Sequence, residues 1–383
     1  MILNADQCYQ AVLTRDGRFD GRFFVAVRST RIYCRPICRV KTPLRKNCSF
    51  FAHAAEAEVA GYRPCKRCRP ELAPGASMME VRSELARATL SYISQDFLAE
   101  ESLEGLAAKL GITDRHMRKV FQDAFGVSPV EYWQTQRLLL AKQLLTDTRL
   151  PVTSVAMASG FKSLRRFNVA LKERYRMTPT ELRKLNNAAD NSAGFTFRLA
   201  YRPPFDWEQI LSFLSGRVTP GVEAIQDGTY YRTIRASRHK KEFAGFMEVR
   251  HRAEEKMISV RLSDDLASVC GVILDRVKRL FDLQADPIPI NAVLGKLAKA
   301  RPGLRVPGCF NGFELAVRAI LGQQISVTGA STLAGRFAAR FGTPISTPVS
   351  SLKYIFPRRR GLQRPTLVRS GRSESSGNAL KPS

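Results

Sequence analysis

Nowhere in the 383 residues do about eighteen apolar residues run together, the length a membrane-spanning helix needs, so no membrane span is expected. The opening stretch, Met1 to Phe19, holds no apolar segment of signal-peptide length, and the expectation is a protein kept in the cytoplasm. A reducing compartment removes a disulfide framework from consideration for the eight cysteines, and clustered ones then read as metal ligands or reactive thiols. Acidic residues are also scarce: 34 Asp and Glu against 61 Lys and Arg leave a formal net charge of +27, which calls for a polyanionic partner. Charge alone does not choose among DNA, RNA and an anionic membrane surface.

What is present fits two or three domains, since the chain is too long for one ordinary core and 44% of it is hydrophobic. Breaks in pattern separate a cysteine-bearing stretch to about Ala76, a helical stretch to about Leu185, a mixed stretch from Phe195 to about Tyr354, and a tail. The polar run Asn186 to Gly194 reads as a linker, and Pro70 to Ser77, with two prolines and a glycine, as a second joint.

The helical stretch repeats itself. Leu106 to Tyr132 aligns with Val155 to Leu182, one residue being inserted in the second copy: Ala107 and Gly111 meet Ala156 and Gly160, while Pro129 and Glu131 meet Pro179 and Glu181. In each copy a short apolar helix ends at the glycine and a second helix starts at a cap, Thr113 or Ser163, which is helix-turn-helix spacing. Met117, Val120, Phe121 and Phe125, or Leu164, Phe167, Leu171 and Tyr175, fall at three- and four-residue steps and predict a buried stripe. The other face offers Arg115, Arg118, Lys119 and Gln122 in one copy and Arg165, Arg166, Asn168 and Lys172 in the other, side chains that reach phosphates and base edges. A joining helix over Glu131 to Thr146 would fix the spacing of the two units, so that a monomer reads adjacent major-groove segments. This double unit, over Val81 to Leu185, resembles the AraC-type transcription regulators, which implies sequence-dependent promoter binding.

Cys34 and Cys38 are four residues apart, Cys65 and Cys68 three apart, and the segment between the pairs is long enough to bring them face to face. Four thiolates suit one tetrahedral zinc ion, whose binding, worth roughly 10 to 16 kcal/mol at a structural site, also folds so small a module. Cys8, Cys48, Cys270 and Cys309 have no paired spacing and read as small buried apolar residues. Arg35, Arg39, Lys41, Arg45, Lys46, Lys66 and Arg67 surround the ligands and are the expected phosphate contacts.

The run from Phe23 through Cys34-Arg35-Pro36-Ile37-Cys38-Arg39, with Leu44-Arg45-Lys46-Asn47 and Gly61-Tyr62-Arg63-Pro64-Cys65-Lys66-Arg67-Cys68, resembles the N-terminal domain of Ada-type DNA methylation-response proteins over about seventy residues. The resemblance implies that the first ligand cysteine, here Cys34, takes a methyl group from a methylated DNA phosphate. A zinc-held sulfur keeps a lone pair for attack at neutral pH, so displacement with the phosphodiester leaving needs no general base. Alkylating one of four thiolates also removes one of about two net negative charges, which would strengthen binding to DNA.

From Phe195 the pattern changes to alternating Phe195, Phe197 and Leu199, a helix near Trp207 to Leu214, strands near Tyr230 to Ile234 and Ile258 to Leu262, and a helix through Leu280. Tyr201 to Trp207, Arg279 to Leu283, and Arg301 to Gly308 through Ala319 to Ser326 are similar to 3-methyladenine DNA glycosylase II. That family flips a damaged base into a pocket and uses an aspartate after a helix-hairpin-helix. Gln323 matches a position near its base pocket, and Gln324 one at its DNA wedge. No aspartate follows Asp286, and the similarity stops near Tyr354, where an Arg-, Ser- and Gly-rich stretch begins; a shifted frame or truncation is expected, with apolar helix faces left exposed and no base excision. A Pro-Cys-His-Arg methyltransfer motif is absent, so repair of methylated guanine is not expected.

The expected architecture is therefore multidomain α+β. It comprises a small α/β zinc domain (1–76), an all-α tandem helix-turn-helix domain (79–185), a linker (186–194), an α+β glycosylase N-terminal-like domain (195–285), the start of a truncated helical domain (286–354) and a disordered basic tail (355–383). The expected function is methylphosphotriester repair coupled to transcription activation. Its partners are double-stranded DNA and RNA polymerase, without a membrane, and the chain acts as a monomer. A regulator with a purely structural zinc is the alternative, and an alkylbase glycosylase a second one, disfavoured for want of its carboxylate.

Overall fold

The computed structural model describes residues 4–75, 83–95, 102–184, 194–238 and 241–358. The expected linker, apart from Gly194, and the tail beyond Arg358 lie outside them.

The cysteine-bearing region starts with α1 (Ala5–Thr14), whose N-terminus is closed by Asn4: its side chain accepts from the Gln7 N–H at 2.7 Å, and Gln7 accepts from the Asn4 N–H at 3.1 Å. Then come β1 (Phe24–Val27), β2 (Ile32–Cys34), β3 (Cys48–Phe51), α2 (Ala54–Val59) and β4 (Arg63–Pro64), in the sheet order β3-β1-β2-β4. β4 lies parallel to β2, so the chain leaves both strands at the same end.

The helical region holds α3 (Glu84–Gln95), α4 (Leu103–Lys109), α5 (Asp114–Phe125), α6 (Pro129–Asp147), α7 (Val152–Ala158), α8 (Leu164–Tyr175) and α9 (Pro179–Arg183). The repeat is visible in its caps. Thr113 accepts from the His116 N–H and Ser163 from the Arg166 N–H, each at 3.3 Å, while Ser128 with Glu131 and Thr178 with Glu181 close α6 and α9 by reciprocal bonds. Gly111 and Gly160, at φ +69° and +85°, make the left-handed turns between the paired helices. Met117, Phe121 and Phe125, and Phe167, Leu171 and Tyr175, are buried as expected; Val120 is half-buried, and Leu164, at the first helical position, is exposed.

The third region is built from β5 (Phe195–Ala200), α10 (Trp207–Ser215), β6 (Glu223–Gln226), β7 (Thr229–Arg238), β8 (Lys241–Arg252), β9 (Met257–Leu262) and α11 (Cys270–Leu280). The antiparallel sheet runs β5-β9-β8-β7-β6, and Phe197, Tyr230, Val249, Ile258, Val260, Ile273 and Phe281 belong to the core it shares with α11. Beyond it stand α12 (Pro287–Leu294), α13 (Lys296–Lys299), α14 (Gly312–Leu321), α15 (Val327–Phe341), and a short pair, β10 (Thr343–Pro344) with β11 (Tyr354–Ile355). This last part does expose apolar side chains, with Val293 at 87%, Leu297 at 82% and Val306 at 79%.

The segment expected to be a joint is packed instead. Pro70–Leu72 forms a 3-10 turn, and the buried Glu71 pairs with Arg69 at 2.9 Å and with Lys142 of α6, while Arg69 reaches Asp147 at 2.6 Å. Burial alone would raise the Glu71 pKa, but the two cations outweigh it and hold the carboxyl below its ordinary value. Proline and glycine there shape a turn that buries charge rather than one that bends freely. Residues 76 and 77 lie outside the described ones.

A second junction gathers around Glu58 of α2. Its carboxylate accepts from Tyr33 of β2 at 2.9 Å, Thr135 of α6 at 3.1 Å and Tyr175 of α8 at 3.2 Å, so three elements of two regions share one buried acid. Burial pushes its pKa up to about 7, against the pull of Arg174 and the three hydroxyl donors. A carboxyl raised in the folded state gives stability that is present in full below the unfolded value and is lost as pH climbs through about 7. Glu58→Gln keeps one acceptor oxygen for the two tyrosine hydroxyls and offers an N–H that the Thr135 hydroxyl can accept, without the titration. Its stability advantage over the parent, read by urea unfolding of zinc-loaded protein, should therefore grow from pH 5.5 to pH 8; a constant difference would contradict this account.

Candidate metal centre and nucleic-acid interface

The parallel pairing of β2 with β4 places two turns side by side. β2 ends at Cys34, whose chain folds back so that the Cys38 N–H reaches the Arg35 carbonyl at 3.1 Å; after β4 the Cys65 N–H reaches the Tyr33 carbonyl at 3.0 Å. The four sulfurs of Cys34, Cys38, Cys65 and Cys68 consequently lie within 4.8 Å of one another. Tetrahedral zinc with zinc–sulfur bonds of about 2.3 Å needs sulfur–sulfur edges of about 3.8 Å, so the donor set fits in number, type and spacing. Cys34, Cys38 and Cys65 are buried, Cys68 half-buried, and the ligands pack with Cys8, Val12, Phe23, Val25 and Cys48. Hydrogen bonding within the cluster pushes the Cys34 thiol up and holds the Cys65 thiol down, so the sulfurs compete for protons and four thiolates together require a cation.

Hydrogen bonds distinguish the ligands. The Arg35 N–H donates to the Cys68 sulfur at 3.3 Å and the Arg67 N–H to the Cys65 sulfur at 3.4 Å. Among the described residues no backbone N–H donates to the Cys34 sulfur, whose hydrogen-bonding neighbours are the other three sulfurs.

The basic residues divide. Arg39, Lys41, Lys46, Lys66 and Arg67 are exposed around the cluster. Arg35 corrects the expectation: its side chain is 3% exposed, Nε donates to Asp20 at 2.8 Å and Nη1 to the Cys68 carbonyl at 3.2 Å, so it braces the ligand turn from inside and is not a phosphate contact. Arg45 is half-buried, its guanidinium 5.3 Å from the Phe50 ring centroid and 3.3 Å from Asp6. On α5 and α8, Arg115, Lys119, Gln122, Arg165, Arg166, Asn168 and Lys172 are exposed, while Arg118 is half-buried and bonded to Asp114 at 2.7 Å.

Gln323 and Gln324 are also exposed, in the turn between α14 and α15, and not in an enclosed pocket. Of the unpaired cysteines, Cys8, Cys48 and Cys270 are buried as expected, but Cys309 is exposed. Asp20 was not legible as a site residue; a carboxylate between Arg18 and Arg22 in a basic stretch was the available signal. No helix among the described residues is long and apolar enough to cross a membrane.

A four-cysteine centre joined to paired helix-turn-helix units defines the class. Family models match in the same order: the metal binding domain of Ada over residues 7–71, a helix-turn-helix domain over 106–185 and the AlkA N-terminal domain over 196–311. A probable bifunctional transcriptional activator/DNA repair enzyme AlkA of Mycobacterium tuberculosis is 36% identical over 363 residues, covering 92% of this chain and 72% of that protein. The bifunctional transcriptional activator/DNA repair enzyme Ada of Escherichia coli is 35% identical over 47% of this chain and 49% of its own length. DNA-3-methyladenine glycosylase 2 of the same species is 39% identical over 37% of this chain and 49% of its own length. Among solved structures, a methylated N-Ada/DNA complex is 38% identical, covers 36% of this chain and 99% of that one, and has a TM-score of 0.18. The chain belongs to the family of bifunctional transcriptional activator/DNA repair proteins of the Ada and AlkA type. Its cofactor is one zinc ion at the four cysteines.

Because the sulfurs form part of the packed interior, the metal should hold this region together. Elemental analysis should return one zinc per chain. Stripping it with a strong chelator should abolish amide protection in β1, β2 and β4 while α6 and α8 keep theirs; unchanged protection in the strands would show that the metal is not structural.

Proposed function

We propose that Cys34 accepts a methyl group from a DNA methylphosphotriester and that the methylated chain activates repair-gene promoters through α5 and α8. The observation that carries this reading is the asymmetry of the cluster: the Cys68 and Cys65 sulfurs receive backbone N–H donors, which withdraw electron density, while Cys34, the first ligand, receives none among the described residues. Zinc, when bound, keeps the sulfurs deprotonated at neutral pH. The Cys34 sulfur attacks the methyl carbon in line, the sulfur–carbon bond forms, the carbon–oxygen bond breaks, and its electron pair stays on the phosphate as a phosphodiester. No proton moves, so no general base is needed. Arg39, Lys41, Lys46, Lys66 and Arg67, exposed around the cluster, are assigned to the flanking phosphates, with the half-buried Arg45 as a further contact. Cys34 is 5% exposed, so one of the ligand turns has to yield as the DNA backbone arrives. The thioether has no easy route back, and the acceptor works once.

Four thiolates on one divalent ion carry about two net negative charges, and methylation removes one. At about 7 Å from a phosphate and an effective dielectric of about 20, this relieves roughly 2 kcal/mol of repulsion, about thirtyfold in affinity. Arg115, Lys119, Gln122, Arg165, Arg166, Asn168 and Lys172, with Arg118 partly committed to Asp114, form the promoter-reading surface. We assign RNA polymerase as the partner at the promoter and a monomer as the working form. No base excision is assigned to the third region, where Gln323 and Gln324 stand in the open.

The test is promoter affinity before and after incubation with methylphosphotriester DNA. The parent should tighten about thirtyfold at low salt and less at high salt. Cys34→Ala should not tighten, and Arg166→Ala should bind the promoter roughly tenfold more weakly while still accepting methyl. A parent whose affinity does not change would leave the zinc structural and the protein an ordinary regulator.

A further inference from the structure

Arg202, just after β5, is completely buried, yet its guanidinium bonds to carbonyls from two regions: Nη1 donates to Gln284 at 2.7 Å, Nε to Asp20 at 3.1 Å and Nη2 to Gly75 at 2.6 Å. Two of those three acceptors belong to the metal-binding region, so taking that region away strips a buried charge of most of this shell. The contact is close enough to dictate sequence. Gly21 stands at φ +74°, and a Cβ there would lie 3.1 Å from Pro74 and 3.3 Å from the Arg202 guanidinium. Nearby, Arg22 pairs with the buried Asp286, which also caps α12 through the Ile288 N–H at 3.1 Å. Arg305 closes the seam from behind, donating to the carbonyls of Arg202 and, at 2.9 Å, Pro204. The same Asp20 whose carbonyl meets Arg202 uses its carboxylate to hold Arg35, and Arg35 holds the Cys68 carbonyl.

We propose that the glycosylase-like region is the seat of the metal-binding region, Arg202 and Asp286 fixing the 20–22 and 74–75 segments and, through Asp20 and Arg35, the Cys68 end of the sulfur cluster. The third region then has a role that needs no excision chemistry. Arg202 is a positioning residue, acting on Cys34 through the turn that carries its fellow ligands. Its effect on methyl uptake rests on the reading of Cys34 as acceptor; the seating itself does not.

The experiment uses the full zinc-loaded chain with Arg202→Met and Asp286→Asn. Hydrogen–deuterium exchange should quicken at least tenfold in residues 20–22 and 73–75, with zinc still at one per chain. The single-turnover rate of methyl uptake at saturating methylphosphotriester DNA should fall severalfold, while the DNA concentration at half-maximal rate stays unchanged. Unaltered exchange in both variants overturns the seat, and a change confined to the half-saturating concentration overturns the positioning role. If Arg202→Met yields no soluble protein, Asp286→Asn and Gly21→Ala decide by the same exchange criterion. A parent that takes up no methyl overturns the acceptor reading and leaves the exchange test of the seat intact.

Discussion

Four sulfurs within 4.8 Å of one another and largely out of water can coexist as thiolates only around a cation. That constraint organises the metal-binding region. The parallel β2–β4 pair brings two turns together, and one face of the short sheet packs on the ligands with residues of α1, β1 and β3, while the other packs Phe24, Ala26 and Tyr33 against Ala54, Ala57 and Tyr62. It also sets the chemistry. A cluster that carries net negative charge is a nucleophile, and N–H donors to the Cys65 and Cys68 sulfurs weaken those two as alternatives to Cys34, the proposed acceptor.

The three regions meet through buried polar groups as well as through apolar faces. Glu58 ties β2 to α6 and α8, Glu71 ties the 3-10 turn to α6, and Arg202 ties residues 20 and 75 to the third region. Such groups contribute less to stability than to register, because each is satisfied in one arrangement and left unpaired in others. Tyr33, directly before Cys34, is one of the groups Glu58 holds, so the strand that carries the proposed acceptor is fixed to a helix of the second helix-turn-helix unit. The proposed methyl-acceptor site and the proposed promoter-reading surface are thereby parts of one packed body.

Much of this was legible in the sequence where a single physical rule governs. Cysteine spacing gave the ligands, and the repeated Gly, Pro and Glu positions gave the paired units, down to the capping roles of Thr113 and Ser163. The rules failed where the partner is distant. β8 was missed because its central residues Gly245 to Val249 are buried without alternation, as happens when both faces of a strand are covered. Arg35 looked like its exposed neighbours because charge in a sequence does not reveal burial; Asp20, fifteen residues away, is what draws it inward. Pro70 to Ser77 read as a joint from composition, yet within it Glu71 finds Lys142 seventy-one residues later. The exposed apolar side chains of α12 to α15 were anticipated from the break in pattern near Tyr354.

The central claim is that one metal-held sulfur, Cys34, takes the methyl group. The direct measurement is mass mapping of the zinc-loaded chain after incubation with methylphosphotriester DNA. The account expects one methyl per chain, located on Cys34, with Cys38, Cys65 and Cys68 unmodified and zinc retained. A methyl on any other ligand, or none, would contradict it.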